Sequence, residues 1–185
     1  MIQNYASTIQ INSTKAEPRS KQKIEAEVEK FRKNCKITSL KGKAVDILKV
    51  LDLASEIYGF EYQVVEDYEL SYNVYAETDL IHKKIYIKES VYSRAAEGST
   101  RDRFTIAHEI GHVIMHTDKI IVCRGEEIKK YEYPEWQADH FAAELLVPVS
   151  HIGNLSVDEI TNKYKVSKKV AQIRKSRANS LKNPA

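Results

Sequence analysis

Residues 108–112 read His108-Glu109-Ile110-Gly111-His112, set between the apolar runs Phe104-Thr105-Ile106-Ala107 and Val113-Ile114-Met115. This HExxH arrangement constrains the chain more than any other feature. On a helix, two histidines four apart lie one turn apart on one face, with about 6 Å between side-chain origins. Both imidazoles then reach one Zn2+ at about 2.0–2.1 Å. Glu109 is rotated off that line and can reach a water beside the metal, whose pKa falls towards about 7 there. Apolar residues fill most of the circumference over 104–115, which predicts a buried helix. Burying two histidines and a glutamate together is costly unless they serve a site. Ser99 is the predicted N-cap, with Asp102 as a capping-box-like partner.

The rest of the chain is that of a globular protein. Its 185 residues, 42% hydrophobic and 30% charged, suffice for one domain with a sizeable core. No apolar stretch approaches the about 20 residues that span a bilayer, and the first 18 residues lack the basic and apolar regions of a signal peptide. A cytoplasmic location is expected, with no membrane partner. Cys35 and Cys123 stand in no metal or redox spacing and read as unpaired thiols of a reducing compartment. The net charge of +3 hides an asymmetry: residues 151–185 carry eight Lys or Arg against two acids, and the remainder is slightly acidic. Such a tail suits an acidic partner or a solvated helical face.

Three regions are expected: a disordered start over 1–18, a metal-binding α+β domain over 19–150 with an extra N-terminal helix in 19–41, and a basic helical unit over 151–185. Ile24, Val28 and Phe31 form a thin core stripe on a charged helix over 19–35. A stronger helix over 43–58 offers Val45, Leu48, Leu51, Leu53 and Ile57, and Gly59 ends it as a C′ glycine. Strands are predicted over 60–65, 72–76 and 81–87, the last alternating Ile85 and Ile87 with lysines. They assemble into a small, mostly antiparallel sheet on the HExxH helix, and an edge strand there could hold an extended peptide. After a polar stretch over 117–133, a helix starts with Pro134 at its first position and stops before Pro148. Two short helices follow over 156–164 and 167–180, a helix-turn-helix-like pair with Ser156 and Ser167 as N-caps.

Zinc needs a third protein ligand. His116 continues the His108–His112 row, but it lies two turns from His108, about 12 Å along a helix. It reads as a helix-end residue or as lining of a substrate cleft. Glu135 and Asp139, four apart on the helix after Pro134, point the same way, and Ala138, Ala142 and Ala143 permit another helix to come close. One carboxylate can ligate while the other accepts the remaining ring N–H of a ligating histidine. Glu135 has the longer reach and is assigned to the metal, Asp139 to the supporting role; the reverse assignment stays open.

The segments Arg103-Phe104-Thr105-Ile106-Ala107-His108-Glu109-Ile110-Gly111-His112 and Glu135-Trp136-Gln137-Ala138-Asp139-His140-Phe141-Ala142-Ala143-Glu144-Leu145-Leu146-Val147-Pro148 resemble the ImmA/IrrE family of metallopeptidases. The ending from Tyr164-Lys165-Val166-Ser167 to Arg174 resembles that family's short helix-turn-helix-like close. The resemblance spans roughly 43–177. It implies a zincin-like domain with a gluzincin-like centre: His108, His112 and Glu135 on zinc, and Glu109 as general base. It also implies action on repressors that carry helix-turn-helix DNA-binding domains, which relieves repression in a stress response or on a mobile element. Thermolysin-like sites further use a His or Tyr to stabilise the oxyanion; Tyr131, Tyr133, His140 and Tyr72 are the candidates.

Three functions follow in order. The first is a zinc endopeptidase that cleaves a repressor-like protein. The second is a non-proteolytic antirepressor or toxin–antitoxin partner that sequesters its target; an intact Glu109 argues for the first, since a structural metal site does not need it. The third is a DNA-binding regulator. The last helix carries Lys168, Lys169, Arg174, Lys175 and Arg177 around its circumference and lacks a base-reading row, so direct DNA binding is not expected.

Overall fold

The computed structural model describes residues 14–37, 43–116, 120–122 and 128–182. Cys123 and parts of the polar stretch expected over 117–133 lie outside the described residues.

Helix α1 (Lys21–Asn34) starts at Ser20, whose hydroxyl accepts the Lys23 N–H at 3.2 Å. Ile24, Val28 and Phe31 are buried along one stripe, as the periodicity predicts. Helix α2 (Ile47–Tyr58) is capped by Asp46 and closed by Gly59 at φ 67°, a left-handed turn suited to glycine. Val45 and Leu51 are buried and Leu48 and Leu53 pack partly against the core, but Ile57 is 47% exposed. The buried stripe runs through Ile47, Val50, Leu51 and Ala54. In the last turn Tyr58 takes the inward place, stacked on Phe31 at 5.4 Å.

The first four strands are β1 (Thr14–Ala16), β2 (Glu61–Val65), β3 (Ala76–Asp79) and β4 (Lys84–Lys88). The three-stranded sheet has the order β2-β4-β3. The expectation of a mostly antiparallel sheet needs correction: it is mixed. The short connection after Asp79 folds β4 back antiparallel to β3, leaving its other edge for β2, which runs parallel to it. β3 begins where the expected strand over 72–76 ends, because Ser71 and Val74 close a turn and Tyr72 stands 98% exposed. Ile85 and Ile87 are buried as the alternation predicts. Helix α3 (Glu89–Ala96), not anticipated from the sequence, follows β4 directly.

Helix α4 (Thr100–His116) carries the HExxH motif and packs on β3 and β4. Ser99 accepts the Asp102 N–H at 3.4 Å. The Asp102 carboxylate keeps a side-chain hydrogen bond with Ser99 and also accepts from Arg94 Nε at 2.9 Å and Nη2 at 3.2 Å. Strand β5 (Ile120–Val122) pairs antiparallel with β1. Residues 14–18 thus depart from the expected disordered start: Ala16 is buried, and Lys15 pairs with Glu132 at 3.1 Å.

Helix α5 (Pro134–Leu146) packs along α4 more extensively than any other pair of elements. Gly111 makes that approach feasible, since a Cβ there would meet Phe141 at 3.1–3.2 Å. Helices α6 (Val149–Ile152), α7 (Val157–Tyr164) and α8 (Lys168–Lys182) complete the chain. Ser156 and Glu159 form a reciprocal cap on α7, and Ser167 accepts the Val170 N–H. Ile152, Ile160, Tyr164 and Ala171 lie in the same apolar cluster as Phe31, Ile106 and Phe141. The basic residues of α8 are not all presented to solvent: Arg177 grips Glu25 at 2.7 and 2.9 Å, and the buried Arg174 pairs with Glu144. Among the described residues, no helix is long and apolar enough to cross a membrane.

Candidate metal centre

The motif histidines sit in the second half of α4, facing the first turns of α5. Pro134 at the first helical position fixes where α5 begins, and so places Glu135 opposite them. Glu135 Oε2 lies 3.1 Å from His108 Nε2, and its Oε1 lies 3.2 Å from His112 Nε2. The two Nε2 atoms are 2.9 Å apart. His108, His112 and Glu135 form a group that could hold a metal ion, their donor atoms all within 4.8 Å of one another. Ligands on a tetrahedral zinc with bonds of about 2.0–2.1 Å stand about 3.3 Å apart. The observed spacings lie close to that.

The chemistry of the donor set fits a cation as well. Each histidine has its second nitrogen engaged elsewhere: His108 Nδ1 with Asp139 Oδ1 at 3.0 Å, His112 Nδ1 with His116 Nδ1 at 3.2 Å. Both Nε2 atoms are left to face the same spot as a carboxylate. Without a cation, protons must do that work. Burial disfavours the charged His108 ring, but Asp139 and Glu135 overcome it and raise its pKa to about 10. Burial likewise opposes the charged form of Glu135, yet the two histidines hold its carboxyl well below the usual range. Of the two acids considered from sequence, Glu135 meets both Nε2 atoms, and Asp139 meets only the far side of His108.

Glu109 is buried beside this group, 8% exposed. Its Oε2 accepts the Thr78 hydroxyl at 2.6 Å. Thr78 lies on β3, so the sheet reaches the motif glutamate directly. Thr78 lies beyond the strand expected over 72–76, and a lone threonine there carries no signal of its own in the sequence.

His116 is 1% exposed and so lines no cleft. Burial and the neighbouring His112 push its pKa down to about 3, and its Nε2 lies 3.1 Å from Gln137 Oε1. Gln137, whose role no sequence pattern signals, is fully buried, and its Oε1 also accepts from Arg19 Nη1 at 3.0 Å. Tyr72 is exposed on its turn and Tyr131 is 40% exposed. Tyr133 is half-buried at the start of α5. His140 lies against the Trp136 ring at 4.0 Å and shares a 2.8 Å hydrogen bond with the Trp136 carbonyl. Among the described residues, none of the four has a hydrogen bond or ring contact with His108, Glu109, His112 or Glu135.

A comparison with curated proteins finds no match. The family model of peptidase M78, the IrrE N-terminal-like domain, matches residues 60–176, which hold the sheet, the motif helix, α5 and most of the C-terminal helices. That match covers more than half of the chain, and the chain belongs to the ImmA/IrrE family of metallopeptidases.

Proposed function

We propose that this chain is a zinc-dependent endopeptidase with a zincin-like active site, His108, His112 and Glu135 holding the metal and Glu109 acting as general base. One observation carries the reading: two motif histidines and a glutamate from a second helix converge on one point, beside a buried carboxylate held by Thr78. Zinc held by His108, His112 and Glu135 would supply a Lewis acid for the scissile carbonyl and lower the pKa of a water bound beside it. The remaining work falls to the chain's own residues. Glu109 accepts the water's proton as the oxygen attacks the carbonyl carbon, then delivers it to the nitrogen as the C–N bond breaks. Thr78 keeps the carboxylate pointed, and β3, which carries Thr78 and is an edge strand among the described residues, would offer backbone groups to an extended peptide. Asp139 keeps the His108 ring in orientation from its far nitrogen.

The substrate we propose is a helix-turn-helix repressor, whose cleavage or inactivation derepresses its genes in the cytoplasm. The resemblance to the ImmA/IrrE family supports that choice, and a protein substrate suits a peptidase whose β3 is an edge strand among the described residues. The test compares the zinc-loaded chain with its Glu109→Gln variant on a panel of such repressors and on a proteome-derived peptide library, reading new N-termini by mass spectrometry. The amide keeps the shape of the carboxylate but cannot take the water's proton. Cleavage by the unsubstituted chain alone is expected, with zinc retained in both. If Glu109→Gln still inactivates a repressor while holding zinc, the endopeptidase reading fails and sequestration of the target replaces it.

A further inference from the structure

We infer that a buried hydrogen-bond chain, running from Arg19 and Glu17 through Gln137 and His116, fixes which nitrogen of His112 is presented to a metal. The inference rests on His112 as a metal ligand and adds positioning residues that lie partly outside the matched family region, since Glu17 and Arg19 precede residue 60.

The direction of each bond follows from its surroundings. Gln137 Nε2 sits between two backbone carbonyls, Glu17 O and Tyr131 O, each at 2.8 Å. Its Oε1 sits beside the Arg19 guanidinium at 3.0 Å. The opposite amide orientation would set oxygen against two carbonyls and NH2 against a cation, so the amide is locked with Oε1 as acceptor. The atom that meets this oxygen, His116 Nε2 at 3.1 Å, must donate. A neutral imidazole that donates from Nε2 accepts at Nδ1. His116 Nδ1 lies 3.2 Å from His112 Nδ1, which therefore carries the hydrogen. His112 Nε2 is then the lone-pair nitrogen, and it is the one that faces Glu135 and His108. A second proton on His116 would bring two N–H groups nose to nose at the His112 contact, and the buried site offers neither a way out.

The anchoring end is equally fixed. Arg19 is 7% exposed; besides Gln137 it holds the Met115 carbonyl in the last turn of α4 at 3.2 Å and Glu27 at 3.2 Å. Its backbone N–H bonds Tyr131 O at 3.3 Å. The segment before α1 thus ties the end of the motif helix to α5 at the level of His116. Outer partners of a ligating histidine commonly set about 10–100-fold in metal affinity, and the chain carries this one through two side chains before reaching backbone.

Zinc affinity, read by competition with a chromophoric chelator, and the Co2+ absorption spectrum test the inference without recourse to peptide cleavage. His116→Leu removes the acceptor for His112 and is expected to weaken zinc by about 10–100-fold. His116→Asn, whose Oδ1 can stand where Nδ1 stood, is expected to recover most of that loss. Gln137→Met and Arg19→Met are expected to lose affinity in the same direction with all three ligands intact. Unchanged affinity in folded His116→Leu overturns the proposal, and unchanged affinity in Arg19→Met overturns the part given to the N-terminal segment. Should His116→Leu not fold, long-range 1H–15N correlations on the unsubstituted zinc-loaded chain decide the matter. His116 protonated only at Nε2 is expected; a proton on its Nδ1 refutes the chain of bonds. If the unsubstituted chain binds no metal at all, the failure belongs to the metal-site reading instead.

Discussion

Arg174 offers a sharp test of whether the C-terminal helices belong to the same cooperative unit as the metal centre. Its side chain is 3% exposed, pairs with Glu144 on α5, and donates from Nε to the Val147 carbonyl at 3.0 Å. Glu144, 9% exposed, also accepts the Val149 N–H at 3.2 Å. Arg174→Met keeps the aliphatic bulk but leaves a buried carboxylate without its cation and a carbonyl without its donor. Breaking a buried pair from one side costs about 3–5 kcal/mol. With a urea m-value of about 2 kcal/mol/M, the midpoint falls by roughly 2 M. Glu144→Gln in the same background removes the stranded charge while keeping an acceptor for Val149, and is expected to restore half of the loss or more. Lys169→Met, on the exposed side of the same helix, is expected to change stability by less than about 0.5 kcal/mol. Trp136, the sole tryptophan, stands beside Glu135 and reports α5, while far-UV circular dichroism reports all the helices. The two probes are expected to move together, and zinc at 100 times its Kd to raise stability by about 2.7 kcal/mol for both. A loss under about 1 kcal/mol in Arg174→Met, or a fluorescence transition that ignores the substitution, would refute the reasoning and make residues 151–185 a separate unit.

Two further expectations concern the site. Glu135→Ala should lose zinc far more readily than Asp139→Ala after dialysis, because Glu135 meets both Nε2 atoms and Asp139 only His108 Nδ1; metal analysis showing the reverse order would exchange their roles. Thr78→Val removes a hydrogen bond to a carboxylate worth about 1.5–3 kcal/mol, so kcat on a cleaved peptide should fall by about 10–100-fold with zinc content unchanged, and Thr78→Ser should restore it.

What the sequence could and could not disclose has a physical pattern. The spacing of His108 and His112 is local geometry, and so is the pairing of Glu135 with Asp139, because both follow from the pitch of one helix. The alanines of α5 announced a close neighbour, and Gly111, left unexplained by the motif, proves to be the other half of that contact. The expected capping serines Ser99, Ser156 and Ser167 act within three residues of themselves. The misses lie where the outcome depends on distant chain. The parallel pairing of β2 with β4 depends on how the chain between β2 and β3 returns to the sheet, not on any alternation within β2. Residues 14–18 have the composition of a tail, yet β1 finds a partner more than a hundred residues away and Arg19 finds acceptors on α4 and α5. Arg174 and Arg177 look like surface charge in a basic run until Glu144 and Glu25 are brought beside them. The same holds for the site: its first ligands are neighbours on a helix, but the groups that orient them, Thr78, Gln137 and Arg19, come from three other places in the chain. A motif therefore names the atoms that could hold a metal, while the fold decides which of their nitrogens and oxygens are free to do so.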